Sequence, residues 1–268
     1  MIKFSIITVC LNAGNDLLYT VAETLNQSYK NFEIVVKDGF SSDGTVEKLP
    51  MDSRIRVIRK KDTGIYDAMN QAIEEAAGEY LIFMNAGDTF YAETTLEEIA
   101  AQITDKDVAL YYGRCYNETL AVYSNSPLKL TPFFAYRSML CHQAMIFRYS
   151  YMKEKMYDCS YRVCADREIL LDIVMRSHQK TQYIPTIVAR YKGSGFCETE
   201  ENQKKIEIEN RRLREDFFSI RQRVKYQAMI NLTLPKLRKM IANNPKLVKS
   251  YKQAIGLIYG NRGVKDGK

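Results

Sequence analysis

The fold is decided by one ten-residue stretch, Glu79-Tyr80-Leu81-Ile82-Phe83-Met84-Asn85-Ala86-Gly87-Asp88. Its first six residues are mostly large and apolar, and small or polar residues follow them directly. A short apolar run that ends in a turn signal is typical of a strand buried on both faces of a sheet. The stretch therefore predicts a core strand with Asn85 and Asp88 at its carboxyl end.

Strand and helix patterns alternate on both sides of this core strand. Strands are predicted over residues 4–9, 32–36, 55–59 and 108–112, and helices over residues 16–25, 65–77 and 94–103. This order predicts an α/β fold with a mainly parallel central sheet flanked by helices on both faces. Ligands of such sheets bind at the carboxyl ends of the strands, so functional residues are expected at that edge.

The second part of the chain has a weaker pattern. Strands are predicted near residues 118–123, 143–147 and 181–191, a helix over 166–175, and charged helices over 198–226, 236–242 and 246–259. We therefore expect a main domain over residues 1–197, with halves of about 1–113 and 114–197. A basic helical C-terminal extension is expected over residues 198–268.

Length and composition exclude several classes of protein. A chain of 268 residues with 46% apolar and 26% charged residues fits one large folded domain with a short appendage. No run approaches the roughly 20 apolar residues that span a bilayer, and the apolar N-terminal run is too short for a signal peptide. The six cysteines lack paired CxxC spacing, so we expect most of them to be reduced and buried. Reduced cysteines fit a cytoplasmic protein.

Polar clusters follow four of the predicted strands, at residues 8–12, 37–45, 61–70 and 85–88. Each cluster alone is ordinary turn or capping chemistry, but four of them at one edge of a sheet indicate a binding site. The sequence contains neither a GxxxxGK nor a GxGxxG phosphate loop. A diphosphate would then need a divalent cation, which prefers carboxylate oxygens, and Asp88 is the best-placed ligand. The Asp38 carboxylate can accept a hydrogen bond from the imide edge of a uracil-like base.

These clusters resemble the motifs of glycosyltransferase family 2. Thr8-Val9-Cys10-Leu11-Asn12 is similar to its Thr-Val-x-x-Asn segment, and Asp38-Gly39-Phe40-Ser41-Ser42-Asp43-Gly44-Thr45 is similar to its Asp-Gly-x-Ser-x-Asp-Gly-Thr loop. Met84-Asn85-Ala86-Gly87-Asp88 looks like its Leu-Asn-x-x-Asp metal signature. Asp62-Thr63-Gly64-Ile65-Tyr66-Asp67-Ala68-Met69-Asn70 is similar to a segment of the branch that builds bacterial capsular, extracellular and O-antigen polysaccharides.

Two segments further along the chain extend the resemblance to about residues 3–195. Cys141-His142-Gln143-Ala144 and Ala165-Asp166 resemble the His-Gln-Ala and Ala-Asp-Tyr-Asp segments of that branch. The resemblance implies a GT-A fold and a metal-dependent, inverting hexosyltransferase that uses a nucleoside-diphosphate sugar, with uridine as the expected base. The acceptor that it implies is a hydroxyl of a glycan or of a lipid-linked sugar in cell-surface polysaccharide synthesis.

The resemblance also implies roles for individual residues. Asp88 is expected to bind Mg²⁺ or Mn²⁺, and Asp166 is expected to act as the general base. The residues expected to bind the nucleotide sugar are Thr8, Asn12, Asp38, Asp62, Tyr66, Asn70, Asn85 and Gly87. His142 and Gln143 are expected near the acceptor or the diphosphate, although a structural role for His142 fits the sequence equally well.

Two departures from the family pattern affect these expectations. Gly87 stands where the family often has a second acid, which predicts weaker metal binding. Arg167-Glu168 replaces the Tyr-Asp pair that usually follows the first acid. Asp166 could also serve only as a helix cap, because the helix dipole favours a carboxylate there. Glu168 and then Asp172 are the rival bases.

Charge is divided unevenly along the chain. Residues 204–268 contain 17 Lys and Arg and 5 Asp and Glu, a net charge of +12, whereas residues 1–203 carry a net charge of −5. The tail predicts either an amphipathic basic helix on the anionic inner face of the cell membrane or a helical cap with a solvated face. Nucleic-acid binding is disfavoured because no recognised module accompanies the charge.

Two other functions stay open at this point. A sugar nucleotidyltransferase shares the sheet plan but uses a glycine-rich N-terminal loop with basic residues, which this sequence lacks. A non-catalytic nucleotide-sugar-binding protein is compatible with Gly87 in the metal signature. A dinucleotide-dependent oxidoreductase is disfavoured because the first turn lacks GxGxxG. The sequence does not specify the donor sugar, the acceptor linkage or the oligomeric state.

Overall fold

A computed structural model describes residues 2–193 and 200–232. The strands in these ranges are β1 Phe4–Cys10, β2 Phe32–Asp38, β3 Ile55–Arg59, β4 Tyr80–Phe83, β5 Thr89–Phe90, β6 Val108–Asn117, β7 Val122–Tyr123, β8 Met145–Arg148 and β9 Lys180–Tyr191. The α-helices are α1 Asn15–Leu25, α2 Ile65–Glu75, α3 Thr95–Gln102, α4 Pro132–Arg137, α5 Tyr149–Lys155, α6 Ala165–Leu171, α7 Glu200–Phe217 and α8 Ile220–Leu232. A π-helical segment, Asp172–Arg176, continues α6, and 3₁₀ turns lie at Val46–Lys48 and His142–Ala144.

The described strands form one sheet in the order β3-β2-β1-β4-β8-β6-β9-β5, with β7 paired to β6. The neighbours β3, β2, β1 and β4 are parallel. β8 is antiparallel to β4 and β6, and β5 is antiparallel to β9, while β6 and β9 are parallel. The predicted α/β class is confirmed. Parallel pairing is concentrated in the first half. The sequence did not predict this distribution, because a hydrophobic pattern indicates which faces of a strand are buried but not its direction.

Helices cover both faces of the sheet, as the sequence predicts. α1 and α3 pack over one hydrophobic cluster, and α2 and α6 pack over the other. In β1, Ile6 belongs to the first cluster and Ile7 to the second, because alternate side chains of a strand point to opposite faces. Both side chains are at most 1% exposed. The carboxyl ends of the strands are therefore carried by a well-packed core.

The structure differs from the predicted elements mainly in the second half. β6 extends to Asn117, and only Val122–Tyr123 of the strand predicted near 118–123 is paired. The helix predicted over 198–226 is divided at Ser219. Ser219 Oγ accepts a hydrogen bond from Gln222 N, and Gln222 Oε1 accepts one from Ser219 N. This is a capping box, and its Ser-x-x-Gln signal is present in the sequence.

Two short helices, α4 and α5, have no counterpart among the predicted elements. Thr131 caps α4 by accepting a hydrogen bond from Phe134 N, and Pro132 is the first residue of that helix. Both are helix-start signals, so the sequence contained the information for α4. The helices predicted over residues 236–242 and 246–259 lie outside the described residues.

The described part of the C-terminal extension is continuous with the main core. Leu213 and Phe217 of α7 belong to the same hydrophobic cluster as α6. The Glu209 carboxylate accepts three hydrogen bonds, of 2.7–3.0 Å, from the backbone N–H groups of residues 162–164. The predicted boundary at residue 197 stays a prediction, but α7 stabilises the segment that leads into α6. Across residues 2–193 and 200–232, no helix has both the length and the apolar character needed to cross a membrane.

Candidate functional site

The loops after β1 and β2 are joined at the carboxyl edge of the sheet. The parallel register places Cys10 beside Asp38 at the ends of the two strands. Asn12 N donates to Ser41 Oγ at 2.8 Å, and Asn12 Oδ1 accepts from Ser42 N at 2.8 Å. Asn12 has a φ of 51°, a conformation that Asn adopts more readily than most residues. These contacts fix the two loops as one polar edge, at the place the sequence predicts.

Asp38 is completely buried beneath this edge. Its Oδ1 accepts hydrogen bonds from Ser41 N at 2.9 Å and Ser41 Oγ at 2.5 Å. Its Oδ2 lies 3.2 Å from Arg59 Nε but has no hydrogen-bond geometry to any described group. Thr8 Oγ1 is also buried without a hydrogen-bond partner in the described ranges. Neither atom has a hydrogen-bond partner in the described ranges, which is uncommon for buried polar atoms, and only Asp38 Oδ2 has an ionic partner, Arg59.

A buried lysine supports the neighbouring loop. Lys37 Nζ donates to Asp62 Oδ2 and to the Lys60 carbonyl oxygen, both at 2.7 Å, and the Lys37 side chain is fully buried. Asp62 Oδ1 accepts a hydrogen bond from Gly64 N at 3.2 Å. Asp62 is therefore fixed by protein contacts before any donor binds. Sequence reasoning did not give Lys37 a role, although a lone lysine in an apolar strand was a usable signal.

Helix α2 directs two of its polar side chains toward the second half of the chain. Tyr66 OH donates to Asp166 Oδ1 at 3.1 Å. Asn70 Nδ2 donates to the Tyr157 carbonyl oxygen at 2.9 Å, and Asn70 Oδ1 accepts from Tyr157 N at 2.8 Å. Both residues were predicted to bind the nucleotide sugar. Their described contacts are to Asp166 and Tyr157 of the second half of the chain, and the predicted nucleotide-sugar role stays a prediction.

Asp88 follows the core strand β4, as the sequence predicts. Its Oδ2 accepts a hydrogen bond of 2.7 Å from Gln143 Nε2. Burial raises the pKa of Asp88 to about 6, and the negative charges of Asp16 and Glu118 add to the rise. The Gln143 hydrogen bond and the Lys192 charge act in the opposite direction. The protein alone therefore does not fully offset the cost of burying the negative charge of Asp88.

The backbone around Asp88 is fixed by helix α1. Thr20 Oγ1 accepts from Gly87 N at 2.9 Å and donates to the Asp88 carbonyl oxygen at 2.8 Å. The Asn85 carbonyl oxygen accepts from Asp88 N at 3.0 Å, which closes a turn. Gly87 has a φ of +94°, where any residue with a side chain is strained. The glycine in the metal signature is therefore a requirement of this turn.

The donor set at Asp88 fits a hard divalent cation. Carboxylate oxygen is the ligand that Mg²⁺ and Mn²⁺ prefer, and Asp88 is a carboxylate whose charge the protein leaves poorly compensated. Within residues 2–193 and 200–232, no three His, Cys, Asp or Glu side chains converge on one point. A cation here would need further ligands from water or a bound diphosphate.

His142 is surrounded by aromatic side chains. Its Nε2 forms a hydrogen bond of 2.8 Å with Tyr157 OH, and its ring stacks on Phe83 with centroids 5.0 Å apart. Desolvation lowers the pKa of His142, while the negative charge of Asp166 opposes this effect. The net lowering favours the neutral form of His142. Its described contacts are those of a structural residue, which was one of the two roles left open by the sequence.

The structure distinguishes Asp166 from its two rivals. Asp166 lies half-buried in the first turn of α6, where its Oδ1 also accepts from Arg167 N at 2.8 Å. Glu168 is buried in an ion pair with Lys155 at 2.9 Å. Asp172 accepts a hydrogen bond of 3.0 Å from Tyr151 OH. Glu168 and Asp172 are buried, so Asp166 is the most exposed of the three carboxylates, and its role as base stays a prediction.

One short turn connects the two candidate carboxylates. In the 3₁₀ turn His142–Ala144, Gln143 contacts Asp88 while His142 contacts Tyr157. The Tyr157 ring lies 5.3 Å from the ring of Tyr66, whose hydroxyl reaches Asp166. A continuous set of contacts therefore runs from the end of β4 to the start of α6. Tyr157 was not predicted, since no local pattern distinguishes it among 19 tyrosines.

The chain matches the family model described as glycosyl transferase family 2 over residues 5–174. It is 30% identical over 199 residues to a PGL/p-HBAD biosynthesis glycosyltransferase of Mycobacterium bovis. That alignment covers 72% of this chain and 77% of the relative.

Two solved structures share the fold at low sequence identity. TarS 1–349 of S. aureus, in complex with UDP-GlcNAc, matches with a TM-score of 0.60 and 17% identity over 77% of this chain and 65% of that chain. A mannosyltransferase of Pyrobaculum calidifontis, in complex with GDP-Man and Mn²⁺, matches with a TM-score of 0.56 and 17% identity over 72% of this chain and 58% of that chain. This chain thus spans less than two thirds of either solved chain. The likeness confirms the predicted GT-A fold.

Proposed function

The chain belongs to glycosyltransferase family 2, and from this membership we propose that it transfers a hexosyl group with inversion from a nucleoside-diphosphate sugar. The proposed acceptor is a hydroxyl of a glycan or lipid-linked sugar in bacterial cell-surface polysaccharide synthesis. One observation carries the proposal: the turn His142–Ala144 contacts Asp88 directly and is linked through Tyr157 and Tyr66 to Asp166. Transfer needs one group beside the departing diphosphate and another beside the attacking hydroxyl, and the two must be held in fixed relative positions.

The donor is proposed to bind at the joined loops of β1 and β2. Asp38 Oδ2 makes an ion pair with Arg59 but no hydrogen bond, which supports a role as acceptor for the imide of a uracil base; the base would displace Arg59. Asn12 and Asp62 are held in position by protein contacts, so they are pre-organised for a ligand. Uridine is our first choice of base because Asp38 matches an imide donor. The complexes of TarS with UDP-GlcNAc and of the mannosyltransferase with GDP-Man supply the two nucleotides to compare.

Asp88 is proposed to hold Mg²⁺ or Mn²⁺, with Gln143 orienting the carboxylate. When bound, the cation supplies a Lewis acid that stabilises negative charge on the departing diphosphate. With a pKa raised to about 6 by burial, Asp88 is still mainly ionised at neutral pH, and Thr20 fixes its backbone. Because the protein compensates the Asp88 charge poorly, a cation and a donor diphosphate would bind there together.

Asp166 is proposed to accept the proton of the acceptor hydroxyl as that oxygen attacks the anomeric carbon. Tyr66 and the backbone N–H of Arg167 both donate to Asp166 Oδ1. Two donors on one oxygen hold the carboxylate in a single orientation. A fixed orientation favours proton transfer because the base must meet the hydroxyl within hydrogen-bond reach.

The protein is also proposed to act in the cytoplasm, at the inner face of the membrane. Ile220, Val224 and Leu232 of α8 are 65–80% exposed, and Arg and Lys residues alternate with them. The positive charge of Arg221, Arg223 and Lys225 in α8 suits an anionic lipid surface. Flotation with liposomes of anionic and of neutral lipid at low salt tests this: we expect binding to anionic vesicles only. Absence of binding to both would contradict membrane association.

The decisive experiment is thermal unfolding of the purified protein with UDP, GDP, TDP and CDP, each with and without Mn²⁺. A ligand at 100 times its Kd adds about 2.7 kcal/mol to the native state. We expect UDP to raise the unfolding temperature most, and mainly in the presence of Mn²⁺. If no nucleotide changes it under either condition, the donor site is wrong. If UDP binds but no sugar is transferred or hydrolysed, the non-catalytic alternative replaces the transferase.

A further inference from the structure

The space beside Gly87 contains a carboxylate from another element. A Cβ atom on Gly87 would lie 3.4 Å from Asp16 Cγ and 3.6 Å from Asp16 Oδ2. A side chain at position 87 would therefore begin in van der Waals contact with the Asp16 carboxyl group. Asp16 belongs to the first turn of α1, 71 positions earlier in the chain.

The contact between Asp16 and Gly87 is fixed by the backbone. Gly87 N donates to the Asp16 carbonyl oxygen at 3.2 Å, and Thr20, one turn further along α1, holds the same loop. The side chain of Asp16 is exposed, and its carboxylate has no hydrogen bond or ion pair to the described part of the chain. A helix dipole favours an acid in the first turn, but it does not explain why the turn of Gly87 is held against that acid.

We propose that Asp16 supplies the second carboxylate of the cation site, in place of the acid that is missing at Gly87. The proposal rests on the divalent cation at Asp88 in the proposed function. Asp16 and Asp88 would each give one oxygen, and the donor diphosphate and water would complete a six-coordinate shell. The sequence expectation of weak metal binding is thereby reversed, because the second acid comes from α1.

The geometry also excludes the obvious repair of the motif. Gly87→Asp would place a side chain at a φ of +94° and against the Asp16 carboxylate. A loss of metal binding in that variant would therefore reflect strain and would say nothing about the number of carboxylates. The informative substitutions are those of Asp16 itself.

Mn²⁺ binding to the full chain tests the proposal, measured by the electron paramagnetic resonance signal of free Mn²⁺ with UDP present. Asp16→Asn is expected to weaken Mn²⁺ binding about tenfold or more, because affinity for hard cations follows the charge count of the ligands. Asp16→Glu is expected to recover part of the loss. Glu23→Gln is the matched control, since it removes one carboxylate from the same helix. The unfolding temperature without metal checks that each variant is folded.

The outcomes separate this inference from the proposed function. If Asp88→Asn weakens Mn²⁺ binding but Asp16→Asn leaves it within twofold of wild type, Asp16 is not a ligand and the cation at Asp88 stands. If Asp16→Asn and Glu23→Gln weaken binding equally, the effect is general electrostatics, which also overturns the inference. If wild type binds no Mn²⁺ with UDP, both the cation of the proposed function and the role of Asp16 are wrong.

Discussion

The half of the molecule proposed to bind the donor, residues 1–113, and the half proposed to bind the acceptor, residues 114–197, hold their polar groups in different ways; they are called the donor half and the acceptor half below. In the donor half, short loops at the sheet edge bond to one another, as Asn12 does with Ser41 and Ser42. In the acceptor half, Asp166 is positioned beside a buried aromatic group that includes Tyr66 and Tyr157. The first arrangement uses contacts between neighbouring loops, whereas the second uses side chains that are far apart in sequence.

This difference predicts which property a substitution in each half should change. Asp38 and Asp88 lie in desolvated positions where the protein offsets their charge incompletely, so their removal should affect binding and stability. Asp166 is fixed in orientation by two donors to one oxygen, so its removal should affect transfer alone. The following substitutions test that division, from the largest expected effect to the smallest.

Asp166→Asn is expected to lower kcat by about 10²–10⁴-fold, the contribution of a general base. UDP binding and the unfolding temperature should not change, because the donor half is untouched. Steady-state transfer and nucleotide titration measure both properties. Glu168→Gln is the control two residues away: it breaks the buried ion pair with Lys155 and should lower stability. Transfer by Asp166→Asn within threefold of wild type would remove Asp166 from the mechanism.

Asp88→Asn is expected to stabilise the metal-free protein at pH 7.5. The folded pKa of Asp88 is about 6, raised from 3.8 chiefly by burial, so the ionised form is disfavoured in the native state. The penalty is complete above pH 6 and disappears as the pH falls toward 4, because the native carboxyl then takes up its proton. About two pKa units correspond to roughly 1–3 kcal/mol after allowance for partial exposure.

Urea unfolding in EDTA at pH 7.5 and pH 4 measures this gain. The variant should exceed wild type only at the higher pH, and it should lose the Mn²⁺-dependent part of UDP binding. Equal stability at pH 7.5 would mean that Asp88 is already compensated, and the donor half would then resemble the acceptor half.

Asp38→Asn is expected to weaken UDP binding about 10–100-fold, because hydrogen bonds to a charged group contribute roughly 1.5–3 kcal/mol. Calorimetric titration measures the change. Asp52→Asn is the control, since Asp52 precedes β3 and lies at the opposite edge of the sheet. A loss that is the same in both variants would show that Asp38 acts through general charge and not through the base.

Tyr66→Phe is expected to lower kcat about fivefold, which corresponds to one hydrogen bond of about 1 kcal/mol. Donor KM should stay constant, because the hydroxyl contacts Asp166. Tyr161→Phe is the control, since it removes a tyrosine hydroxyl that bonds Asp216 at 3.0 Å. A rise in donor KM without a change in kcat would return Tyr66 to the donor site, as the sequence first suggested.

The sequence predicted the sheet edge well because its determinants are local. Apolar runs ending in polar turns located β1, β2 and β4, and strand order then brought the loops of Asn12, Asp38 and Asp88 to one side. The antiparallel entry of β8 was not predictable from burial patterns. The position of β8 nevertheless determines where Gln143 lies, because β8 follows directly on the turn that carries Gln143.

The contacts of α2 could not be predicted for a different reason. Tyr66 and Asp166 are separated by 100 positions, and Asn70 and Tyr157 by 87. A motif identifies such residues, but it does not reveal which way each side chain of a helix is directed. Asp16 escaped notice for the same reason, since an acid in a first turn is common and its contact with Gly87 exists only in the folded chain.

The three hydrogen bonds from residues 162–164 to Glu209 have a consequence for synthesis on the ribosome. These backbone groups emerge 45–47 positions before the carboxylate that they need. At 5–20 residues per second, that separation corresponds to roughly 2–9 s. The loops of Asn12 and Ser41 can therefore join first, whereas the segment leading to Asp166 lacks the Glu209 carboxylate until α7 is synthesised. A translational pause after residue 193 would leave a species with the proposed donor loops joined but without the Glu209 contacts to residues 162–164.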